Sequence, residues 1–321
     1  MSKKRNIPPL AAAALTVALL AGCAGDSPSD IAPTPSADNT EIKVNANVWQ
    51  MMEGTRATTY DSPTAIQQEG SFTCTAYAAN TATEHFVSKQ VNWNPTAMKW
   101  EFVEPQKWPD NSVSYSALDF FAYMPATKPA YLTTGPTYAV IDSNSDGTPD
   151  TPQASFTCTL PADQSTLKEF VWTLITGQTQ AVQGSTGVAL HFTHPFARVR
   201  FVLSPESGAH VTVTSVTISG VKSTGTCTFD GTTTTWSDQN NAATFGGLVG
   251  TDYIAVPQTF AGSTQTVTVE ATWEEWTGGV TKTFSTNVTM AQWEAGKSYT
   301  YTLTLQEYAL KVSTDKYTEQ W

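Results

Sequence analysis

Charge is scarce in this 321-residue chain, and positive charge is scarcest. Charged side chains make up 14%, with 17 Lys and Arg against 28 Asp and Glu, for a formal net charge of −11. Such a deficit leaves no basic surface for a polyanion, so nucleic acid is excluded as a partner. Histidine occurs only four times. The G-x-S-x-G elbow, the H-E-x-x-H helix and the phosphate-binding glycine loop are all missing, so nothing in the chain points to an enzyme. Four cysteines without C-x-x-C spacing argue against zinc. Helical periodicity is nearly absent, and residues 164–169 are the best candidate. Beyond the N-terminal leader no segment is apolar enough to span a bilayer.

Threonine fills the space. It occurs 53 times, and aromatic residues add 11%. β-Branched and aromatic side chains suit a pleated, half-buried surface, so the composition is that of a β protein. Short segments with every second residue apolar recur throughout. Examples are Met98–Phe102, Val199–Leu203, Thr266–Trp273 and Tyr299–Leu305. Each reads as a strand with one face in a core and one in water. Many such strands separated by Gly, Asn and Asp turns predict β-sandwiches, and the length suits two domains.

The N-terminus predicts the compartment. Lys3, Lys4 and Arg5 precede an apolar run from Leu10 to Leu20, and Leu20-Ala-Gly-Cys23 closes it. Small residues before a cysteine at that place have the pattern of a bacterial lipoprotein signal. Residues 1–22 are therefore expected to be removed and Cys23 lipidated, giving an anchored chain that does not span the membrane. Ala24 carries no signal for inner-membrane retention. Residues 23–40, rich in Pro, Ser, Asp and Thr, read as a flexible tether. A polar stretch over 178–187 places a domain boundary near residue 183, dividing 41–183 from 184–321.

Three cysteines remain: Cys74, Cys158 and Cys227. An odd number cannot pair completely within the chain. Cys74 and Cys158 occupy apolar phases of strands and read as small buried hydrophobes, with a Cys74–Cys158 bridge as the alternative. His191 and His194 are three apart on a strand, so they face opposite ways and cannot share an ion. Glu274 and Glu275 likewise face apart. Asp142, Asn144, Asp146 and Asp150, with Gly147 after the third, carry most of a calcium loop, although Gln153 stands where the last carboxylate belongs. The competing reading is an ordinary Asx-rich loop, and no cofactor is required. Ten tryptophans raise a glycan-binding alternative: a surface lipoprotein stacking sugars on exposed indoles. Trp100 and Trp273 follow core phases, while Trp49, Trp93, Trp108 and Trp236 are less constrained.

Arginine placement is the sharpest signal. After the leader only Arg56, Arg198 and Arg200 remain. The last two lie on the polar phase of the 197–203 strand, closed to a protease. Arg56 sits in a turn-like Glu53-Gly-Thr-Arg-Ala-Thr-Thr59 segment, so an arginine-specific protease would have one accessible site, Arg56–Ala57.

With the Cys23 lipobox and Thr55-Arg-Ala57, three further motifs complete a pattern. They are Leu190-His-Phe-Thr-His-Pro-Phe-Ala-Arg-Val-Arg-Phe201, Ile254-Ala-Val-Pro-Gln258 and Trp293-Glu-Ala-Gly-Lys-Ser-Tyr-Thr-Tyr-Thr-Leu303. With the Val312–Trp321 close, the whole resembles the fimbrillin family, lipoprotein subunits of type V pili in Bacteroidales-type bacteria. The resemblance implies two tandem transthyretin-like β-sandwiches and export to the outer membrane on a lipid anchor. It also implies arginine-directed maturation and polymerisation with other pilus subunits by strand exchange. A host or bacterial surface receptor would then be the target of adhesion. Cleavage after Arg56 would remove the first strand, 42–52, and open an apolar groove. The tail 306–321 is the candidate donor, with Leu310, Val312 and Tyr317 as groove-fillers.

Overall fold

The computed structural model describes residues 40–48, 60–184, 186–207, 210–273, 281–306 and 309–315. Strand is their dominant regular structure, as the alternation predicts. The first part comprises β1 (Val44–Val48), α1 (Pro63–Glu69), β2 (Ser71–Ala78), β3 (Glu84–Asn94), β4 (Lys99–Phe102) and β5 (Ala117–Met124). Then come β6 (Leu132–Ile141), β7 (Thr151–Thr159), β8 (Val171–Thr179) and one turn of helix, α2 (Gln180–Gln183). The second part comprises β9 (Val188–Phe192), β10 (Ala197–Leu203), β11 (Val211–Phe229), β12 (Thr234–Gly247), β13 (Asp252–Ala255) and β14 (Gln258–Thr259). It ends with β15 (Gln265–Trp273), β16 (Lys282–Val288), β17 (Gln292–Trp293), β18 (Ser298–Gln306) and β19 (Ala309–Asp315).

Seven strands form one sheet in the order β8-β5-β2-β3-β4-β1-β9. Alternation decides its inner face. Phe72, Cys74 and Ala76, then Leu118, Phe120, Ala122 and Met124, then Val188, Leu190 and Phe192 all point to a single core. The two end strands meet: Trp172 and Thr193 exchange backbone N–H···O bonds of 3.2 and 2.8 Å. The sheet thus bends round on itself with its core inside, which leaves few free edges.

The outer faces of β5 and β8 are buried too. Phe121, Trp172 and Leu174 pack with Leu132, Phe156 and Cys158 of β6 and β7, and with Phe196, Cys227, Phe229, Ile254 and Val256. A strand buried on both faces reads as a continuous apolar run, as Leu118–Met124 nearly does. The six-stranded sheet runs β16-β15-β11-β7-β6, with β12 on the other side of β11. β11 pairs with β15 over 211–219 and with β7 over 224–229, so one long strand serves two neighbours in succession. Gly220 marks the change of partner. Its φ is +78°, and a Cβ there would lie 2.6 Å from the Thr264 carbonyl oxygen. A third core lies between these strands and the four-stranded sheet β13-β10-β18-β19.

One local expectation changes. Residues 164–169 form a turn, not a helix. The Gln164 side chain donates to the Ile254 carbonyl and accepts from its N–H, both at 2.9 Å, so it acts as a strand partner. The helix with proper end signals is α1. The Ser62 hydroxyl accepts from the Ala65 N–H at 3.1 Å, Pro63 opens the first turn, and Gly70 closes it at φ +79°. β9, although it follows residue 183, joins the first sheet by pairing with β1.

Candidate functional site

β1 is short, yet it occupies an interior place. It runs parallel to β9 from Val44↔Val188 to Val48↔Phe192, and antiparallel to β4 at Val44↔Trp100. Further bonds extend both seams: the Ile42 N–H donates to the Gln106 carbonyl (2.8 Å), and the Val188 N–H donates to that of Lys43 (2.8 Å). Ile42, Val44 and Val48 keep only 4%, 2% and 3% of their surface exposed. Without β1, the walls β4 and β9 would face each other across an apolar slot with unsatisfied backbone groups. Gly187 lets the strand lie close: a Cβ there would stand 3.0 Å from the Lys43 carbonyl carbon and oxygen.

The chain downstream of the expected cleavage point is held tightly. The Tyr60 N–H donates to Glu169 Oε2 at 3.1 Å, and Glu169 Oε1 meets His194 Nδ1 at 2.7 Å, with all three residues buried. Asp61 lies 4.0 Å from Arg198. Arg198 is buried at 7% exposure. It donates from Nε to Ser298 Oγ (3.0 Å) and lies beside Asp252, which also takes Arg200 at 3.0 Å. The polar phase of β10 is thus covered rather than solvated, because the 60–62 segment and β13 carry carboxylates to it. Alternation alone gives no sign of this burial.

Cys23, Arg56, Ala57, Tyr317 and the glutamates at 274 and 275 lie outside the described residues. Leu310 is buried and Val312 half-buried, both against the third core, because β19 pairs with β18 as the last strand of its sheet.

In the 142–150 loop the Asp142 carboxylate accepts the N–H groups of Asp146 (3.1 Å) and Gly147 (2.7 Å). Asn144 Oδ1 also accepts from Asp146 N–H, Asp146 accepts from Thr148 N–H, and Asp150 accepts from the Thr151 hydroxyl. Among the described residues no group of three or more His, Cys, Asp or Glu side chains is arranged to hold a metal ion. Cys74, Cys158 and Cys227 are free and buried, with Cys74 in a different core from the other two. Burial pushes the Cys158 thiol up to about 12 and the other two also well above the ordinary range. The described tryptophans are buried or half-buried. Trp93 lies against Trp100 at 5.4 Å, and Trp236 donates to the Pro195 carbonyl. Among the described residues none presents an open indole face of the kind the glycan reading needs, and Trp49 lies outside them.

The fimbrillin-like family model matches residues 55–321. The chain belongs to the fimbrillin-like family. Two solved structures share this fimbrillin's fold. A candidate cell adhesion protein from Bacteroides uniformis ATCC 8492 is 18% identical, with a TM-score of 0.54 over 88% of this chain and 99% of that one. Another, from Bacteroides ovatus ATCC 8483, is 16% identical, with a TM-score of 0.54 over 88% and 98%. No curated protein matches.

The motifs that carried the resemblance are structural ties in this fimbrillin. Gln258 bonds with its amide to the N–H and carbonyl of Lys222 (2.7 and 3.2 Å). Trp293 Nε1 donates to the Tyr301 hydroxyl at 2.8 Å inside the third core. Sequence reasoning missed Tyr60, Glu169 and Gln164. Their signal is faint, because a polar residue in a loop looks the same whether buried or exposed.

Proposed function

We propose that this fimbrillin is an adhesive pilus subunit that is exported as an outer-membrane lipoprotein on Cys23 and matured by cleavage after Arg56. Family membership supports a cell-surface structural role in fimbriae alongside other pilus subunits, with no catalytic part. The proposal assigns β1 as a plug: cleavage frees it, and a tail strand of another subunit enters between β4 and β9. The observation that carries this reading is the interior place of β1. It is bonded on both sides, and the segment that joins it to the rest of the chain contains Arg56. The family match begins at residue 55, beside that arginine. Arg198 and Arg200 sit in a central strand of the third core, which favours a single cut.

Two tandem transthyretin-like sandwiches divided near residue 183 belong to the same reading, with β9 reaching back into the first sheet. Strand addition suits the purpose, since main-chain bonds supply affinity and alternate side chains set register. Head-to-tail exchange is heterologous and therefore builds filaments. The decisive experiment treats the purified precursor with an arginine-specific protease. One cut after Arg56, followed by SDS-resistant ladders, is expected. A protein that stays monomeric after that cut, or is digested throughout, overturns the proposal. A calcium ion on Asp142, Asn144, Asp146 and Asp150 is tested separately. It requires that a chelator lower the melting temperature and that Asp146→Ala abolish that response.

A further inference from the structure

Resting on the strand-exchange reading, we propose that the parallel pair β10–β18 is a mechanical clamp that carries the tension between successive subunits as shear. β9 forms one wall of the slot, and the donor tail leaves from the end of β18. Four residues, 193–196, join β9 to β10. They have little slack, because Thr193 is bonded twice to Trp172, His194 to Glu169, and the Pro195 carbonyl to Trp236. Four residues span at most about 14 Å when fully extended, so pulling on β9 loads β10 almost at once.

β10 then pairs in parallel with β18 over six positions, from Arg198↔Ser298 to Leu203↔Leu303. Backbone bonds continue past both ends: the Gly296 N–H donates to the Phe196 carbonyl (2.9 Å), and the Ser204 N–H to that of Leu303 (2.8 Å). Beyond that, the Leu305 N–H donates to Ser207 Oγ at 2.9 Å. Force enters at the N-terminal end of β10 and leaves at the C-terminal end of β18. In a parallel pair these are opposite ends of the ladder. The strands must slide past each other, so every bond is strained together instead of one after another. Before exchange β10 and β18 are the two inner strands of their sheet; once β19 leaves with the donor tail, β10 still lies inside between β13 and β18. Val199, Phe201, Tyr301 and Leu303 on this pair are buried in the third core, which keeps water from replacing the bonds as they stretch.

The test uses single uncut chains in an optical trap, with DNA handles attached through azide-bearing amino acids. Handles at His191 and Gln306 load the ladder from opposite ends. Handles at Glu206 and Gln306 load the same ladder from one end and peel it open. The largest rupture force is expected to be at least about twofold higher in the first geometry, since unfolding under load follows the barrier that the pulling direction crosses. Equal forces, or a weaker first geometry, overturn the clamp. The measurement needs no polymer, so a failure here leaves strand exchange standing. Conversely, a failure of the protease experiment leaves the measured clamp intact.

Discussion

Val44→Ala tests whether aliphatic burial is what keeps β1 in its slot. Val44 has 2% of its surface exposed and faces Trp100 on one side and Val188 on the other. Truncation removes two carbons worth about 0.8 kcal/mol each, and the cavity left between rigid walls brings the loss to about 2 kcal/mol. In the uncut chain this lowers the melting temperature by ~4–8 °C, given ~2–4 °C per kcal/mol for a body of this size. After cleavage at Arg56 the plug no longer benefits from its tether, and the same 2 kcal/mol becomes a ~30-fold weaker hold. A fluorophore on the excised segment reports its release by anisotropy. Asn45→Ala is the control. Asn45 is exposed and loses one bond, to the Thr186 carbonyl at 2.7 Å, so its release rate should stay within about fivefold of the parent. If Val44→Ala releases the plug no faster than Asn45→Ala, side-chain burial is not what retains β1.

Other consequences concern the same framework. Gly187→Ala places a side chain at φ +83° against the Lys43 backbone, and should destabilise the precursor by about 1–2 kcal/mol and speed plug release; an unchanged melt would refute the close-approach argument. Asp119 is fully buried and accepts from the Asn80 and Gly177 N–H groups (2.8 Å each) and the Tyr138 hydroxyl (2.9 Å). Asp119→Ala removes the shared acceptor of two exposed residues and one half-buried tyrosine, and should reduce stability in urea by about 2 kcal/mol; a loss under about 0.5 kcal/mol would show that water replaces the carboxylate. Alkaline pH should weaken the fold. The Cys158 thiol is pushed up to about 12 by burial, while its unfolded value is ~8.5, so its contribution is whole below that value and fades as pH rises towards 12. Burial pushes Cys74, Tyr138 and Tyr301 upward too, with the same sign. The urea midpoint should therefore fall from pH 9 to pH 11, and a flat profile would contradict the burial of these groups.

Strand positions were legible because a half-buried strand writes its two environments into alternate residues. The 199–203, 266–273 and 299–305 segments fall within β10, β15 and β18. Neighbour relations were not legible. Nothing in Val211–Phe229 says that one strand will pair first with β15 and then with β7, since alternation records a face and not a partner. The helix misreading has a similar origin. Residues 164–169 have helix-tolerant composition but no end signals, and Gln164 is drawn to Ile254 by a contact 90 residues away. Ser62, Pro63 and Gly70 are end signals for α1 that went unread, in a segment too short for periodicity to register. At the slot, the sequence predicts a first strand over 42–52, and Ile42, Val44 and Val48 are the residues buried in it. That the strand would be interior rather than terminal depends on β9, which lies more than 140 residues later.

The scarcity of arginine takes on a physical reason in this framework. A chain processed at arginine must either lack the residue elsewhere or make it inaccessible. Arg198 and Arg200 follow the second course, and a buried guanidinium is tolerable only beside carboxylates. Asp252 serves both, and Asp61 serves Arg198 from just beyond the proposed cut. That second contact does further work. Removing residues up to 56 would create a new chain end three residues before Tyr60, and new ends fray unless tied down. Here the Tyr60 N–H is held by Glu169, Asp61 faces Arg198, and the Ser62 hydroxyl caps α1. Tyr60 and Asp61 are thus tied to two distant parts of the fold, and Ser62 to the helix that follows it. Under the proposed cleavage, the loss of β1 would stop at residue 60 and leave β4 and β9, the walls of the slot, in place. Under the proposed cleavage, the arginine hidden from the protease would also help limit what the protease can undo.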